Sequence, residues 1–154
     1  MDEVKTTGTL TSILRAAKPE DISKYLQDNE ASLVCEDRPF AYYMRSTLKE
    51  KGLRQQDVFL AADIPEGYGY KLVSEEKRTR QRDVIVRLCL AGHFSLEQAQ
   101  KALRLYEMAT LYAKVPRDAV LIIALNKEIY SVDDVNELLA KNHMEPLRGC
   151  GASE

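Results

Sequence analysis

Apolar residues recur at helical spacing along most of the 154-residue chain. Phe40, Met44 and Leu48 follow one another every fourth residue, which predicts the buried face of a helix. Asp37 is a plausible N-cap for that helix, and Gly52 is expected to end it. Runs in which β-branched and polar residues alternate are scarce, so the pattern predicts an all-α protein rather than a β fold.

Two shorter helices are predicted directly after this one. Val58, Phe59 and Ala62 lie on one helical face, and the Asp-Ile-Pro sequence at residues 63–65 breaks that helix. Residues 68–74 then predict a second short helix. Two helices joined by so short a turn form a helix-turn-helix unit, although an ordinary helical hairpin inside an all-α core has the same spacing.

The second half of the chain contains an internal repeat. Residues 82–111 and 117–147 align with one insertion, and each unit has an Arg-Asp start, an apolar helix, a loop and a serine-opened amphipathic helix. The period of about 35 residues is typical of helical hairpins. The very apolar run at residues 119–125 is therefore interpreted as a buried helix rather than a strand. Ile123, at its centre, is expected to be buried.

Residues 52–80 contain an opening Gly-Leu and Gln, three apolar core positions and a basic loop: Gly52, Leu53, Gln55, Val58, Ile64, Leu72, Lys77 and Arg78. In these positions the segment resembles the lambda-repressor-like (XRE) helix-turn-helix family. The sequence Tyr68-Gly69-Tyr70 is similar to the recognition helix of a bacterial subgroup of these proteins. Arg117-Asp118 and the Asn-Glu-Leu-Leu sequence at residues 136–139 match later helices of that subgroup, so the resemblance covers about residues 38–147.

Several positions depart from the family pattern. Phe59 replaces a small residue and Gly69 an aliphatic one, so the two are predicted to form a size-swapped pair in contact. Asp63 and Glu75 each replace a glycine, and Arg54 stands where a Ser or Thr N-cap is usual.

The resemblance implies a five-helix helix-turn-helix domain with N-terminal helices and a C-terminal helical hairpin. An N-terminal helical extension is expected over residues 1–36, with short helices over 10–17 and 20–29. The DNA-binding domain is expected over 37–112, the hairpin packed on it over 113–148, and a tail over 149–154. The function it implies is that of a transcriptional regulator that binds double-stranded DNA.

The exposed start of the second motif helix is the part expected to face DNA bases. Its candidate residues are Glu66, Gly67, Tyr70 and Lys71, although Tyr70 packed on the following loop is an equal alternative. Phosphate contacts are expected from the amino end of the first motif helix and from the basic strip. Those candidates are Gln55, Lys77, Arg78 and Arg80.

Charge leaves a second function open. The net charge of the chain is −2, so any attraction to DNA must come from a local patch, such as the basic run at residues 77–87. The alternative is a protein-interaction module on a helix-turn-helix scaffold that has lost sequence-specific DNA binding. A homodimer and a protein partner at the C-terminal hairpin both stay open.

No residue pattern predicts an enzyme, a metal site or a cofactor. The serines lack a His and an acid in a known catalytic order, and the two histidines have no ligand at metal-binding spacing. The three cysteines, Cys35, Cys89 and Cys150, are odd in number and far apart. The chain has no apolar stretch of about 20 residues and an acidic start, so a cytoplasmic, reduced protein is expected.

Overall fold

Helices and connecting turns make up the part of the chain that a computed structural model describes, residues 4–33 and 37–150, and no strand occurs there. Cys35, the first three residues of the predicted extension and residues 151–154 of the predicted tail lie outside it. The chain divides into two compact units, Met1–Asp37 and Arg38–Glu154. The all-α prediction is therefore confirmed, and each unit is taken by itself below.

In its described residues the first unit contains two α-helices, α1 (Thr7–Ala16) and α2 (Ile22–Asp28), and two single-turn 3-10 helices, Pro19–Asp21 and Glu30–Ser32. Helix α1 begins earlier than the sequence indicated, because the Thr6 hydroxyl accepts a hydrogen bond from the Thr9 amide and caps it. The predicted start at residue 10 was therefore wrong by three residues. No residue of α1 or α2 is buried.

The second unit contains seven α-helices in its described residues. They are α3 (Pro39–Glu50), α4 (Gln55–Ala62), α5 (Glu66–Val73), α6 (Arg82–Ala91), α7 (Leu96–Leu105), α8 (Pro116–Asn126) and α9 (Val132–Lys141). The predicted stripe of Phe40, Met44 and Leu48 is buried on α3, as is the α4 face of Val58, Phe59 and Ala62. Helix α4 packs against α5 and α6, and α3 packs against α5 and α7, so α3 and α4 cover the first repeat unit.

The N-terminus of α3 is capped differently from the prediction. Its N-cap is Arg38, in the left-handed conformation directly before Pro39, rather than Asp37. The capping acceptor comes from a distant residue, because the Glu75 carboxylate accepts a hydrogen bond of 3.1 Å from the Ala41 amide.

The predicted repeat is confirmed as two helical hairpins, α6–α7 and α8–α9. Equivalent residues end the helices in the left-handed conformation, namely His93 and Glu128 after the first helix and Glu107 and His143 after the second. Ser95 and Ser131 cap the second helix of each hairpin. These shared features indicate that the two sequences adopt one local structure twice.

The shared Arg-Asp sequences pair reciprocally between the hairpins. Arg82 forms a bidentate ion pair with Asp118. Arg117 forms a bidentate ion pair with Asp83, in which both hydrogen bonds are 2.9 Å long. Each aspartate also accepts a backbone amide from the end of the other unit, Asp83 from Arg148 and Asp118 from Tyr112, both at 2.9 Å. These carboxylates are nearly inaccessible to water, and buried carboxylates require such partners. The pairs therefore fix the two hairpins against each other.

Ile123 contradicts the expectation that α8 is covered on all sides. Leu121 and Leu125 are buried, but the Ile123 side chain is 57% exposed. The equivalent residue of α6 is Leu88, which is fully buried. Leu88 lies on a helix that α4 covers, whereas α7 and α9 are the helices that pack against α8.

Among the described residues, no helix combines the length and the apolar character that crossing a membrane requires.

Candidate nucleic-acid interface

Helices α4 and α5 meet at the predicted pair of Phe59 and Gly69. A Cβ atom placed on Gly69 would lie 2.6 Å from the Phe59 ring, closer than any real side-chain contact. Phe59 and Gly69 are both buried, so the ring fills the space that an aliphatic residue would otherwise occupy. The predicted contact is confirmed.

The turn between these helices holds Asp63 in the left-handed conformation, with φ of 56°. Ile64 follows it into the core and is almost completely buried, and its amide donates to the Phe59 carbonyl at 2.9 Å. Pro65 is the N-cap of α5, so that helix begins two residues before the predicted range. An aspartate can occupy a position where the family pattern has glycine because it tolerates left-handed backbone better than most residues.

The predicted base-facing residues lie on the outer side of α5. Glu66, Gly67 and Tyr70 are exposed, and Lys71 is half-buried. Tyr70 packs its ring on the edge of Phe59, with centroids 5.0 Å apart, and remains 42% exposed. Tyr70 thus contacts Phe59 of α4 while part of its surface stays accessible.

The two glycines of α5 have different environments. A Cβ atom on Gly67 would meet no atom within 4 Å, whereas one on Gly69 would clash with Phe59. Gly69 is therefore required for helix packing. Gly67 leaves the first turn of α5 bare, which allows another molecule to approach the backbone closely.

The loop after α5 is built around Glu75, which has a φ of 62°. Besides capping α3, its carboxylate accepts a hydrogen bond of 3.2 Å from Arg78. The Arg78 guanidinium also donates to the Tyr106 carbonyl at 2.6 Å and lies 4.1 Å above the Tyr106 ring. Sequence reasoning missed the capping of α3 by Glu75 and the binding of Arg78 by Tyr106, because these contacts join residues 34 and 28 positions apart.

The basic run at residues 77–87 therefore separates into two groups. Lys77 and Arg80 are exposed, and neither side chain is engaged in a hydrogen bond or ion pair within the described residues. Arg78 is exposed but tied to Glu75 and Tyr106, while Arg82 is paired with Asp118. Lys77 and Arg80 are the members of the run that an anion can approach freely.

Arg87 is the most deeply buried member of the run. Its guanidinium donates to three carbonyls, that of Ala62 at 3.2 Å, that of Leu147 at 2.7 Å and that of Arg148 at 2.8 Å. The Ala62 carbonyl lies at the C-terminus of α4, where a positive charge is favourable. Arg87 thus joins the end of α4 to the segment that follows α9, and it is unavailable to any ligand.

Charges around α5 and its loop nearly cancel. The basic residues between positions 63 and 80 are Lys71, Lys77, Arg78 and Arg80, and the acidic ones are Asp63, Glu66, Glu75 and Glu76. Four charges of each sign sum to zero, so this surface exerts no strong long-range attraction on DNA. Gln55, at the start of α4, is half-buried and uncharged.

Two observations concern reactive and metal-binding side chains among the described residues. Burial raises the pKa of the Cys89 thiol to about 12, so this thiol is not a nucleophile at neutral pH. No group of three or more histidine, cysteine or acidic residues in the described ranges is arranged to hold a metal ion.

Comparisons with known proteins identify no relative: no family model, curated protein or solved structure matches the chain.

Proposed function

We propose that the chain is a DNA-binding transcriptional regulator that places α5 in the major groove of double-stranded DNA. In this proposal α4, the turn and α5 form a helix-turn-helix, and α3–α7 form a five-helix domain like that of the lambda-repressor-like (XRE) family. The observation that carries the proposal is the outer face of α5, where Glu66, Gly67, Tyr70 and Lys71 are accessible together.

The proposed contacts follow from side-chain chemistry. Lys71 donates to the guanine edge and Glu66 accepts from cytosine, while the bare backbone at Gly67 permits close approach. Lys77 and Arg80 bind phosphates, with Gln55 beside another phosphate at the start of α4. Arg78 contributes less than the family pattern implies, because its guanidinium is already bound to Glu75 and Tyr106.

Selection of bound sequences from a pool of random duplex DNA tests the proposal. Recovery of a shared sequence motif supports it, and Glu66→Ala and Lys71→Ala should each alter that motif. A matched control is Lys114→Ala, because Lys114 is an exposed lysine outside the interface. Recovery of no motif, or the same motif from all variants, contradicts base recognition by α5.

A protein-interaction module is the second candidate, favoured by apolar side chains on the surface. Leu60 is 82% exposed on α4, and Tyr42, Tyr112 and Ile123 are more than half exposed. The zero net charge around α5 also suits a protein partner better than a nucleic acid. Leu60→Ser distinguishes the two functions: it should leave the selected DNA motif unchanged if α5 reads DNA, and should abolish partner capture if α4 is a docking face.

A further inference from the structure

We infer that a shallow cavity between Arg80, Arg82 and Arg148 is a binding site for a phosphate group. The cavity has a volume of about 240 Å³, and its other lining residues are Gln81 and Asp83. This volume is below the range of about 300–1,000 Å³ that is usual for drug-sized ligands, so a small anion suits it better than a whole nucleotide.

The cavity is positive although the chain is not. Its lining carries three guanidinium groups and one carboxylate, a net charge of +2, whereas the whole chain has a net charge of −2. The Asp83 carboxylate does not neutralise the excess, because Arg117 and the Arg148 amide already bind it. Arg82 is likewise paired with Asp118, so the unbalanced charge belongs to Arg80 and Arg148.

Both of these arginines extend from fixed backbone. The Arg148 amide donates to Asp83 at 2.9 Å and its carbonyl accepts from Arg87 at 2.8 Å. Arg80 lies between Thr79 and Gln81, which are buried, and the Thr79 amide donates to the Tyr106 hydroxyl at 2.8 Å. Neither guanidinium has a carboxylate or hydrogen-bond partner within residues 4–33 and 37–150. The fixed backbone thus places two free guanidiniums at one cavity, and each can donate charge-assisted hydrogen bonds to an oxyanion.

The site brings together both repeat units. Arg80 precedes the first unit and Arg148 follows the second, and Asp83 and Arg117 join the two hairpins beside them. The C-terminal hairpin thereby contributes Arg148 directly to an anion site. If the phosphate belongs to DNA, the inference rests on the proposed function and adds Arg148 to the residues that bind DNA phosphates. If the phosphate is free or part of a small ligand, the inference stands without that function.

Two titrations of the full chain test the site. In the first, backbone amide signals are followed by NMR as inorganic phosphate is added, with sodium chloride of equal ionic strength as the control. Phosphate alone should shift the signals of residues 80–83 and 148 saturably. Arg148→Ala and Arg80→Ala should each weaken the affinity by about threefold to tenfold, as expected for loss of a charge-assisted hydrogen bond, and Lys114→Ala should not.

In the second titration, binding of duplex DNA is measured over a range of salt concentrations. Arg148→Ala should lower the salt slope by about one unit on every sequence if the bound phosphate is that of DNA. A response to inorganic phosphate without a response to DNA identifies a free phosphoryl ligand. Unchanged phosphate and DNA affinities in Arg148→Ala overturn the inference, even if the wild-type chain binds DNA. If the wild-type chain does not bind DNA, the proposed function fails and the phosphate titration alone decides the site.

Discussion

The two helical hairpins share their sequence pattern, their helix caps and their reciprocal ion pairs. Their first helices, α6 and α8, differ in how far neighbouring helices bury them. Helix α4 packs over α6, where Leu88 is fully buried, while the equivalent Ile123 of α8 is 57% exposed. The comparison teaches that an apolar helix pattern identifies the element but not its neighbours. Which of its faces becomes core depends on helices located elsewhere in the sequence.

The largest expected effect on stability distinguishes the equivalent positions Leu88 and Ile123. Leu88→Asp should lower the free energy of unfolding by about 4 kcal/mol or more, because it buries an unpaired carboxylate. Ile123→Asp should change it by less than about 1 kcal/mol, because the new carboxylate remains hydrated. Urea denaturation of both variants measures the difference. Equal destabilisation would mean that α8 is covered as completely as α6.

A second contrast compares Arg87 with its repeat equivalent, Ile122. Arg87→Ala removes the donor to three carbonyls and should cost about 2–4 kcal/mol. Ile122 is half-buried, so Ile122→Ala should cost less, about 1 kcal/mol. Thermal and urea denaturation would measure both. If Arg87→Ala is no more damaging than Ile122→Ala, then Arg87 does not tie α4 to the segment after α9.

The cover of the first hairpin depends on close contact between α4 and α5. Gly69→Ile should destabilise the chain by about 1–3 kcal/mol by overpacking against Phe59, and Phe59→Ala combined with it should recover much of that loss. Gly67→Ala is the matched control, because it should stabilise α5 by up to about 1 kcal/mol. Simple additivity of Phe59→Ala and Gly69→Ile in denaturant would show that the two positions do not interact.

The smallest expected effect on stability comes from the ion pair of Asp83 with Arg117, which joins the two hairpins. Burial raises the pKa of Asp83, but hydrogen bonds from Arg117 and the Arg148 amide outweigh burial and keep its pKa below the usual value. The stabilisation is therefore complete above the unfolded-state pKa of about 3.9 and is lost as pH falls below it through the lower folded-state pKa.

Asp83→Asn should flatten this acid branch, because the variant has no carboxylate at this position to protonate as the pH falls. Urea denaturation between pH 2 and pH 6 compares the variant with the wild type. A wild-type chain whose stability rises as pH falls through this window would contradict the sign of the Asp83 shift.

Periodicity was sufficient to predict α3 and α4, because their buried faces recur every three or four residues, whereas α8 also needed the repeat. The range Gln55–Ala62 and the contact of Phe59 with Gly69 followed from local pattern and residue volume. Exposure of Ile123 was not predictable from α8 itself, because it depends on which other helices of residues 38–150 pack against α8. The repeat alone could have indicated the reciprocal ion pairs, since both units open with Arg-Asp.

The candidate site was predictable only in part. The outer face of α5 follows from its helical spacing, and the residues proposed there are accessible. The capping role of Glu75, the binding of Arg78 by Tyr106 and the position of Arg148 depend on contacts across 28 to 65 residues, which no local pattern encodes.

Salt-dependent binding of the full chain to a pool of random duplexes tests the proposed function most directly. The account predicts weak binding at low salt that falls steeply as salt is added, and a slope about one unit smaller in Arg80→Ala but unchanged in Lys114→Ala. Absence of binding at low salt on every duplex would contradict DNA recognition by this surface and would favour the protein-interaction module.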